Sequence, residues 1–226
     1  MLVIAMETGS GPDGHVRWAG SRHDDDRPDA SSGVSPAELF DAVFHALHDG
    51  EQVALGFDCP LTMPVSSEQD PGSAPADADA DALVTLAEPA SSRPGLAELG
   101  YLLGELGTWR PWTTVSTSLA RWKANTSILV WQAVPAPGAS AVTASAAAAS
   151  FFRQLPAVTR RAHEAAAVTE PAPATQPPAE TEPAAGTEPA AAAVVNLAAA
   201  AARRAGLFVD PRELAQPTVS ITVTAS

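Results

Sequence analysis

The sequence predicts an α/β protein built around one mixed sheet, and three patterns carry this prediction. The apolar run LVIAME (2–7) and the alternating stretch HVRWAG (15–20) flank a turn-forming Pro-Asp-Gly, which is typical of a hairpin. The continuous apolar run QVALGFDCP (52–60) is typical of a strand covered on both faces by helices. Between them lies the amphipathic stretch SPAELFDAVFHALHDG (35–50). A length of 226 residues fits one domain.

The helix predicted over 35–50 has clear end signals. Ser35 is a favourable N-cap, Pro36 follows at the first helical position, and Gly50 lies past the end. His45 and His48 are spaced as a metal pair would be, but surface histidines explain them better because no third ligand is near in sequence. The preceding polar stretch 21–33, with its run of three aspartates (24–26), is predicted to be a solvated loop.

The middle of the chain alternates between loops, helices and one strand. The segment 66–94 is rich in Pro, Ser, Ala and Asp and predicts a long loop or lid. Helical periods predict helices over 95–107 and 114–124, and an alanine-rich helix over 140–155. The apolar stretch 127–134 predicts a strand.

A change of composition divides the core into two parts. From 164 to 190 the chain repeats Glu-Pro and Thr-Glu-Pro units, which bury little area and cannot maintain a helix, so we expect a disordered insertion. The core therefore comprises residues 1–163 and 191–226. In the second part, small residues predict a helix over 191–207, and alternation predicts a final strand over 218–225.

The charge and cysteine content limit the classes of partner. There are 26 acids against 13 bases and the net charge is −13, so a basic face for tracking phosphates is hard to build, and nucleic acid is not expected as a partner without a metal ion. Cys59 is the only cysteine, which excludes an internal disulfide and predicts a buried, inert thiol in a reducing cytoplasm. No stretch reaches the roughly 20 apolar residues of a membrane helix, so we expect no membrane association.

Four stretches, in this order, resemble one known family. They are VIAMETGSG, VALGFDCPLTMP, ILVWQAVPAP and VVNLAAAAARRAGL. Each of the first three joins an apolar strand to an acid or polar residue, followed by Gly or Pro, and the fourth resembles the late helix of the family. The chain thus resembles an uncharacterised bacterial family of RNase H-like domains of unknown function, numbered 429. The resemblance implies an RNase H-like mixed sheet flanked by helices, as a single domain with polar insertions.

The resemblance also implies a site. Active members of this superfamily hold two Mg²⁺ or Mn²⁺ ions between carboxylates, and the matching positions here are Glu7, Asp58, Gln132 and Asn196. Glu7 is longer than the usual Asp, and Gln132 and Asn196 are neutral, so the attraction for two dications is weakened. Glu7 and Asp58 remain as ligands for one weakly held Mg²⁺ or Mn²⁺ ion.

Two functions are therefore predicted. The first is a catalytically impaired or non-nucleolytic member that binds a ligand or a protein partner, and the alternative is a Mg²⁺- or Mn²⁺-dependent nuclease. A purely structural explanation is also open, in which Gln132 and Asn196 are interior polar residues and Asp58 caps a turn. The stretch ETGSGPDG also resembles the phosphate loop of sugar-kinase and actin-like proteins, although the chain is too short for their two-lobed form.

A tryptophan-rich stretch forms the last candidate. TWRPWTTVSTSLARW places Trp109, Trp112 and Trp122 close to Arg110 and Arg121, residue types that are common in binding hot spots and that stack on bases or sugars. Core aromatic side chains flanked by surface arginines explain the same pattern equally well.

Overall fold

The structure, a computed structural model, assembles the chain into one mixed sheet with helices on both faces. It describes residues 1–7, 16–22, 29–64, 87, 95–125, 128–137, 142–168 and 194–223. The strands, numbered in chain order, are β1 Leu2–Glu7, β2 Arg17–Arg22, β3 Asp29–Gly33, β4 Val53–Phe57, β5 Thr62–Pro64, β6 Val115–Ser116, β7 Ile128–Pro135, β8 Val194–Asn196 and β9 Ser220–Val223. The helices are α1 Pro36–His48, α2 Leu96–Trp109, α3 Leu119–Asn125, α4 Ala144–Val168 and α5 Leu197–Arg204, and Pro211–Ala215 forms a 3-10 helix.

The main sheet confirms the predicted α/β class. Its order is β3-β2-β1-β4-β7-β6, with β9 beside the second half of β7. The first three strands are antiparallel neighbours, whereas β1, β4 and β7 run parallel, as do β6 and β9 beside β7. Because parallel strands require crossovers, helices cover both faces. A separate pair, β5 and β8, runs antiparallel.

Each face of the sheet has its own core. Leu55 and Phe57 of β4 pack with buried leucines of α1, α2 and α5. On the other face, Trp131 of β7 packs with α3 and α4, and its ring centroid lies 5.0 Å from that of Phe151. Gly56 lies beneath this tryptophan, where a Cβ would clash with the indole ring. The bulk of Trp131 therefore requires glycine at position 56.

Several predicted elements are confirmed. The hairpin strands pair with Glu7 opposite Arg17. Helix α1 begins after Ser35, whose Oγ accepts a hydrogen bond from the backbone N–H of Ala37, and Gly50 past its end has a φ of +77°. All five residues of β4 are buried, as its continuous apolar run predicts.

Two sequence predictions need correction near the strands. Residues 29–33 form β3 rather than loop, because pairing with β2 supplies order that their polar composition does not. Position 33 requires glycine, since a Cβ there would lie 2.8 Å from Trp18 Nε1. The helix predicted over 114–124 begins only at Leu119, because residues 115 and 116 pair with β7.

Two predicted helices also have different bounds. In the segment predicted as one helix over 191–207, residues Val194–Asn196 form β8, and the helix starts at Leu197. Helix α4, predicted to end at 155, continues through Pro156 to Val168, so residues 164–168 of the predicted disordered insertion are helical. Proline removes one helical hydrogen bond, but the helix carries alanine runs at 146–149 and 165–167, which favour the helical state.

Some predictions fall on residues that the structure does not describe. The acidic run 24–26, most of the segment 66–94 and residues 169–190 of the predicted insertion lie outside the described residues. Across the helices that are described, none is both long enough and apolar enough to span a bilayer.

Candidate functional site

Three of the four candidate positions come from neighbouring parallel strands. Met6, Phe57 and Gln132 share one register row across β1, β4 and β7. Glu7 and Asp58 directly follow the first two of these residues, so they leave adjacent strands at the carboxyl edge of the sheet. The backbones of these three motifs are therefore neighbours in the sheet.

The sheet nevertheless separates Glu7 from Gln132. Alternation along β1 puts Glu7 on the face of Val3 and Ala5, which is the face covered by α4. Alternation along β7 puts Gln132 with Ile128 and Val130, on the opposite face. The two side chains therefore start on opposite sides of the sheet.

Gln132 is engaged by the loop that follows β4. Its Oε1 accepts a hydrogen bond of 3.2 Å from the backbone N–H of Leu61. The carbonyl oxygen of Leu61 in turn accepts a bond of 2.9 Å from the backbone N–H of Leu197, the first residue of α5. Gln132 thus helps to hold the segment that connects β4 to the start of the last helix.

Asn196 is fully buried and is the N-cap of α5. Its Oδ1 accepts hydrogen bonds of 3.0 Å from the backbone N–H of Ala199 and from Thr218 Oγ1. Its Nδ2 donates to Thr117 Oγ1 at 2.8 Å and to the carbonyl oxygen of Gln216 at 2.9 Å. These four bonds use both donors and both acceptor positions of the amide. An asparagine directly before a Leu-Ala run is an N-cap signal, so the sequence holds a sign of this role.

A buried carboxylate that the sequence does not single out lies next to Asn196. The side chain of Glu213 is 1% exposed, and its Oε2 accepts bonds from the backbone N–H and the Oγ1 of Thr117, while Oε1 accepts from Ser116 Oγ at 2.8 Å. Arg121 Nη1 lies 3.6 Å from Oε1 of Glu213 and 2.9 Å from Oδ2 of Asp210. Because Glu213 lies in the polar stretch DPRE, no sequence pattern distinguishes it from a solvated acid.

These contacts define a polar knot, comprising Thr117, Asn196, Glu213, Gln216 and Thr218. Its side-chain hydrogen bonds join the loop after β6, the start of α5 and the residues that precede β9. Thr117 is its centre, because its hydroxyl accepts from Asn196 and donates to Glu213. A network with this degree of satisfaction rigidifies a core and specifies one packing.

Asp58 affects the neighbouring thiol. Cys59 is buried, as predicted, and burial together with the negative charges of Asp58 and Glu98 raises the pKa of this thiol to about 12. The thiolate form is therefore scarce at neutral pH, which disfavours a nucleophilic role. Asp58 itself follows the last residue of β4 and has interactions within the protein.

The donor set does not fit two divalent cations. Over the described part of the chain, no three His, Cys, Asp or Glu side chains are grouped closely enough to hold a metal ion. Gln132 and Asn196 already bind protein groups through their oxygens, and Glu7 lies across the sheet from Gln132. His45 and His48 are exposed on α1, as expected for surface histidines.

An apolar groove lies beside the polar knot. It runs between α2 and α5, has a volume of about 260 Å³ and includes Gly100, Gly104, Leu197 and Ala201 in its walls. Arg204 supplies the cationic group of the lining, and this arginine has interactions of its own. Concave, largely apolar surfaces of this kind are typical of small-molecule sites.

Comparison with family models, with curated proteins and with solved structures found no match to this chain.

Proposed function

We propose that this chain is an RNase H-like protein of the non-nucleolytic type, which binds a ligand or a protein partner instead of cleaving nucleic acid. The resemblance of its motifs is supported by their arrangement. The three motif strands β1, β4 and β7 are adjacent and parallel, and the late helix α5 begins at the fourth candidate position.

The observation that carries the proposal is the hydrogen bonding of Asn196. In a two-metal site the position of Asn196 supplies a carboxylate. Here it supplies an amide that donates two hydrogen bonds and accepts two. Gln216 offers a carbonyl oxygen 2.9 Å from Nδ2, so an acid at position 196 would bring two acceptors together. The surroundings of Asn196 thus select an amide.

The charge of the chain supports the same function. The net charge of −13 repels a polyanion such as nucleic acid. Among the described residues, no three His, Cys, Asp or Glu side chains are grouped to hold a metal ion that would offset this repulsion. The apolar groove between α2 and α5 suits a small, mainly apolar ligand better than a phosphate backbone.

One observation favours the metal-dependent nuclease as the second candidate. Met6 and Phe57 are paired, so Glu7 and Asp58 start from strands about 4.8 Å apart. Two carboxylates on neighbouring strands are suitable ligands for a single hard cation such as Mg²⁺ or Mn²⁺.

A cleavage assay separates the two candidates. The full chain is incubated with branched DNA or an RNA–DNA hybrid in the presence of Mg²⁺ or Mn²⁺, beside Asp58→Asn and the matched surface variant Asp41→Asn. We expect no metal-dependent cleavage by any of the three proteins. Metal-dependent cleavage by the wild type and Asp41→Asn that disappears in Asp58→Asn would overturn the proposal in favour of the nuclease.

A further inference from the structure

The apolar groove between α2 and α5 extends along two helices that lie side by side. Leu96 and Leu197, the first residues of these helices, belong to its lining, and so does Ala205, directly after α5. Ala87 contributes a further wall and is only 5% exposed. The two helices are in contact at Gly107, where a Cβ would clash with the carbonyl oxygen of Ala205. The groove is therefore a concave surface built on packed helices.

Two of the three glycines of α2 have no packing role. Gly107 is required by its contact with Ala205, but a Cβ at Gly100 or Gly104 would have no heavy atom of the described residues within 4 Å. Neither of these two glycines has a positive φ. Because alanine is more favourable than glycine within a helix, Gly100 and Gly104 weaken α2 without improving its packing. An occupant that approaches the backbone of α2 closely explains both.

The two open glycines also determine the shape of the surface. Gly100 and Gly104 both belong to the lining of the groove and are one helical turn apart. Without Cβ atoms, they leave a strip of bare backbone about 6 Å long. The face of a flat ring can lie on this strip, while Leu96 and Leu197 offer apolar contact beside it. The groove is thus suited to a flat, apolar occupant.

The volume restricts the occupant to a small molecule. The groove holds about 260 Å³. One turn of an α-helix with its side chains occupies about 400–600 Å³, from a diameter of about 10–12 Å and a pitch of about 5.4 Å, so a partner helix does not fit. Scaling from an apolar cavity of about 150 Å³, which binds benzene, gives a ligand of about ten non-hydrogen atoms. Two fused six-membered rings have this size.

The charges around the groove favour a neutral ligand. Arg204 is the ionisable residue of the described lining, and it already has interactions within the protein. Its positive charge disfavours a cation in the groove, and the net charge of −13 disfavours an anion. The other described lining residues are Gly, Ala and Leu, whose side chains form no hydrogen bonds.

We infer that the groove between α2 and α5 binds a neutral, flat, apolar small molecule of about ten non-hydrogen atoms, with a ring face against the backbone at Gly100 and Gly104. The inference rests on the proposed ligand-binding function and names the class of ligand.

The test uses quinoline, a neutral molecule of two fused rings, as the probe. Its titration into the ¹⁵N-labelled full chain should shift the amide resonances of Gly100 and Gly104 and saturate at millimolar concentration or below. Gly104→Ala should weaken binding at least about tenfold, because its methyl group takes the place of the ring. The same variant should raise the melting temperature by about 2–4 °C. A variant that is more stable and binds less cannot owe its loss of binding to misfolding.

Two variants serve as matched controls. Tyr101→Ala should leave the affinity for quinoline unchanged, because Tyr101 is exposed on α2 outside the lining of the groove. Gly107→Ala should lower the melting temperature, because its Cβ would clash with Ala205. This contrast separates a glycine that the fold requires from one that it does not.

Five outcomes would overturn the inference. Three of them are no saturable shift up to about 10 mM quinoline, equal affinity of Gly104→Ala and wild type, and a melting temperature that Gly104→Ala lowers as much as Gly107→Ala does. Octan-1-ol that binds as tightly as quinoline would assign the groove to a flexible chain, and a dimer in sedimentation that Gly104→Ala dissociates would assign it to a second copy. The cleavage assay stays independent, because nuclease activity would overturn the proposed function whether or not quinoline binds.

Discussion

The two candidate amides, Gln132 and Asn196, connect separate elements of the fold, whereas the two candidate carboxylates, Glu7 and Asp58, lie at the ends of strands. Gln132 and Asn196 bind protein groups that join β7, the loop after β4 and α5. Glu7 and Asp58 lie where β1 and β4 end, and Asp58 also has interactions within the protein. Positions that could be ligands in one protein of this architecture are, in this one, structural. The difference shows that candidate residues must be judged by what satisfies their polar atoms.

Removing the amide of Asn196 should have the largest effect on stability. Asn196→Ala eliminates a helix cap and leaves buried partners of the amide unsatisfied, so the free energy of unfolding should fall by about 3–5 kcal/mol. The matched control is Ser35→Ala, which removes an exposed cap with one hydrogen bond and should lower it by about 1 kcal/mol. Urea unfolding measures both. Equal losses would mean that the buried network adds nothing to the cap.

Replacing Glu213, the carboxylate of the polar knot, should cause the second-largest loss of stability. In Glu213→Gln an amide N–H₂ faces the hydrogen-bond donors of Ser116 and Thr117, and the charge opposite Arg121 is lost, so stability should decrease by about 2–3 kcal/mol. Asp210→Asn is the control, because Asp210 is partly exposed and the amide can still cap the 3-10 helix, and it should cost under about 1 kcal/mol. A smaller loss for Glu213→Gln than for the control would contradict a structural role of the knot.

The smallest predicted change in stability concerns Cys59, whose thiol lies next to Asp58. The pKa of Cys59 is raised in the folded state, so the folded protein favours the neutral thiol. This contribution to the free energy of unfolding is fully present below the ordinary thiol pKa and is lost as the pH rises from about 9 toward about 12. Wild-type stability should fall in that range by up to about 1.4 kcal/mol per pH unit more than that of Cys59→Ala. Urea unfolding of both proteins at pH 8 and pH 10.5 measures this. Parallel pH profiles would contradict the raised pKa.

The sequence predicts those elements whose order depends on local pattern. The apolar runs of β1, β4 and β7 and the capped helix α1 were predictable because burial and capping leave periodic or terminal signals in the residues themselves. Strands β3, β5 and β8 were not predictable, because they are short or polar and form through pairing with distant partners.

The candidate site shows the same limit. Asp58 could be located at a strand end from its position after an apolar run. The polar knot could not be predicted, because Asn196 meets Thr117 and Gln216 across loops whose approach no local pattern encodes. Glu213 is the clearest case, since the groups that bind its carboxylate belong to Ser116 and Thr117, about 96 residues away along the chain.

Binding of Mn²⁺ to the wild-type chain tests the central claim most directly. Electron paramagnetic resonance of a Mn²⁺ titration counts the bound ions, with Asp58→Asn as the control for the carboxyl edge. If the amides of Gln132 and Asn196 are structural, at most one weakly held ion binds per chain, and its affinity falls in Asp58→Asn. Two tightly bound ions per chain with a spin-coupled spectrum would contradict the account, because they would require the amide positions to take part in a two-metal centre.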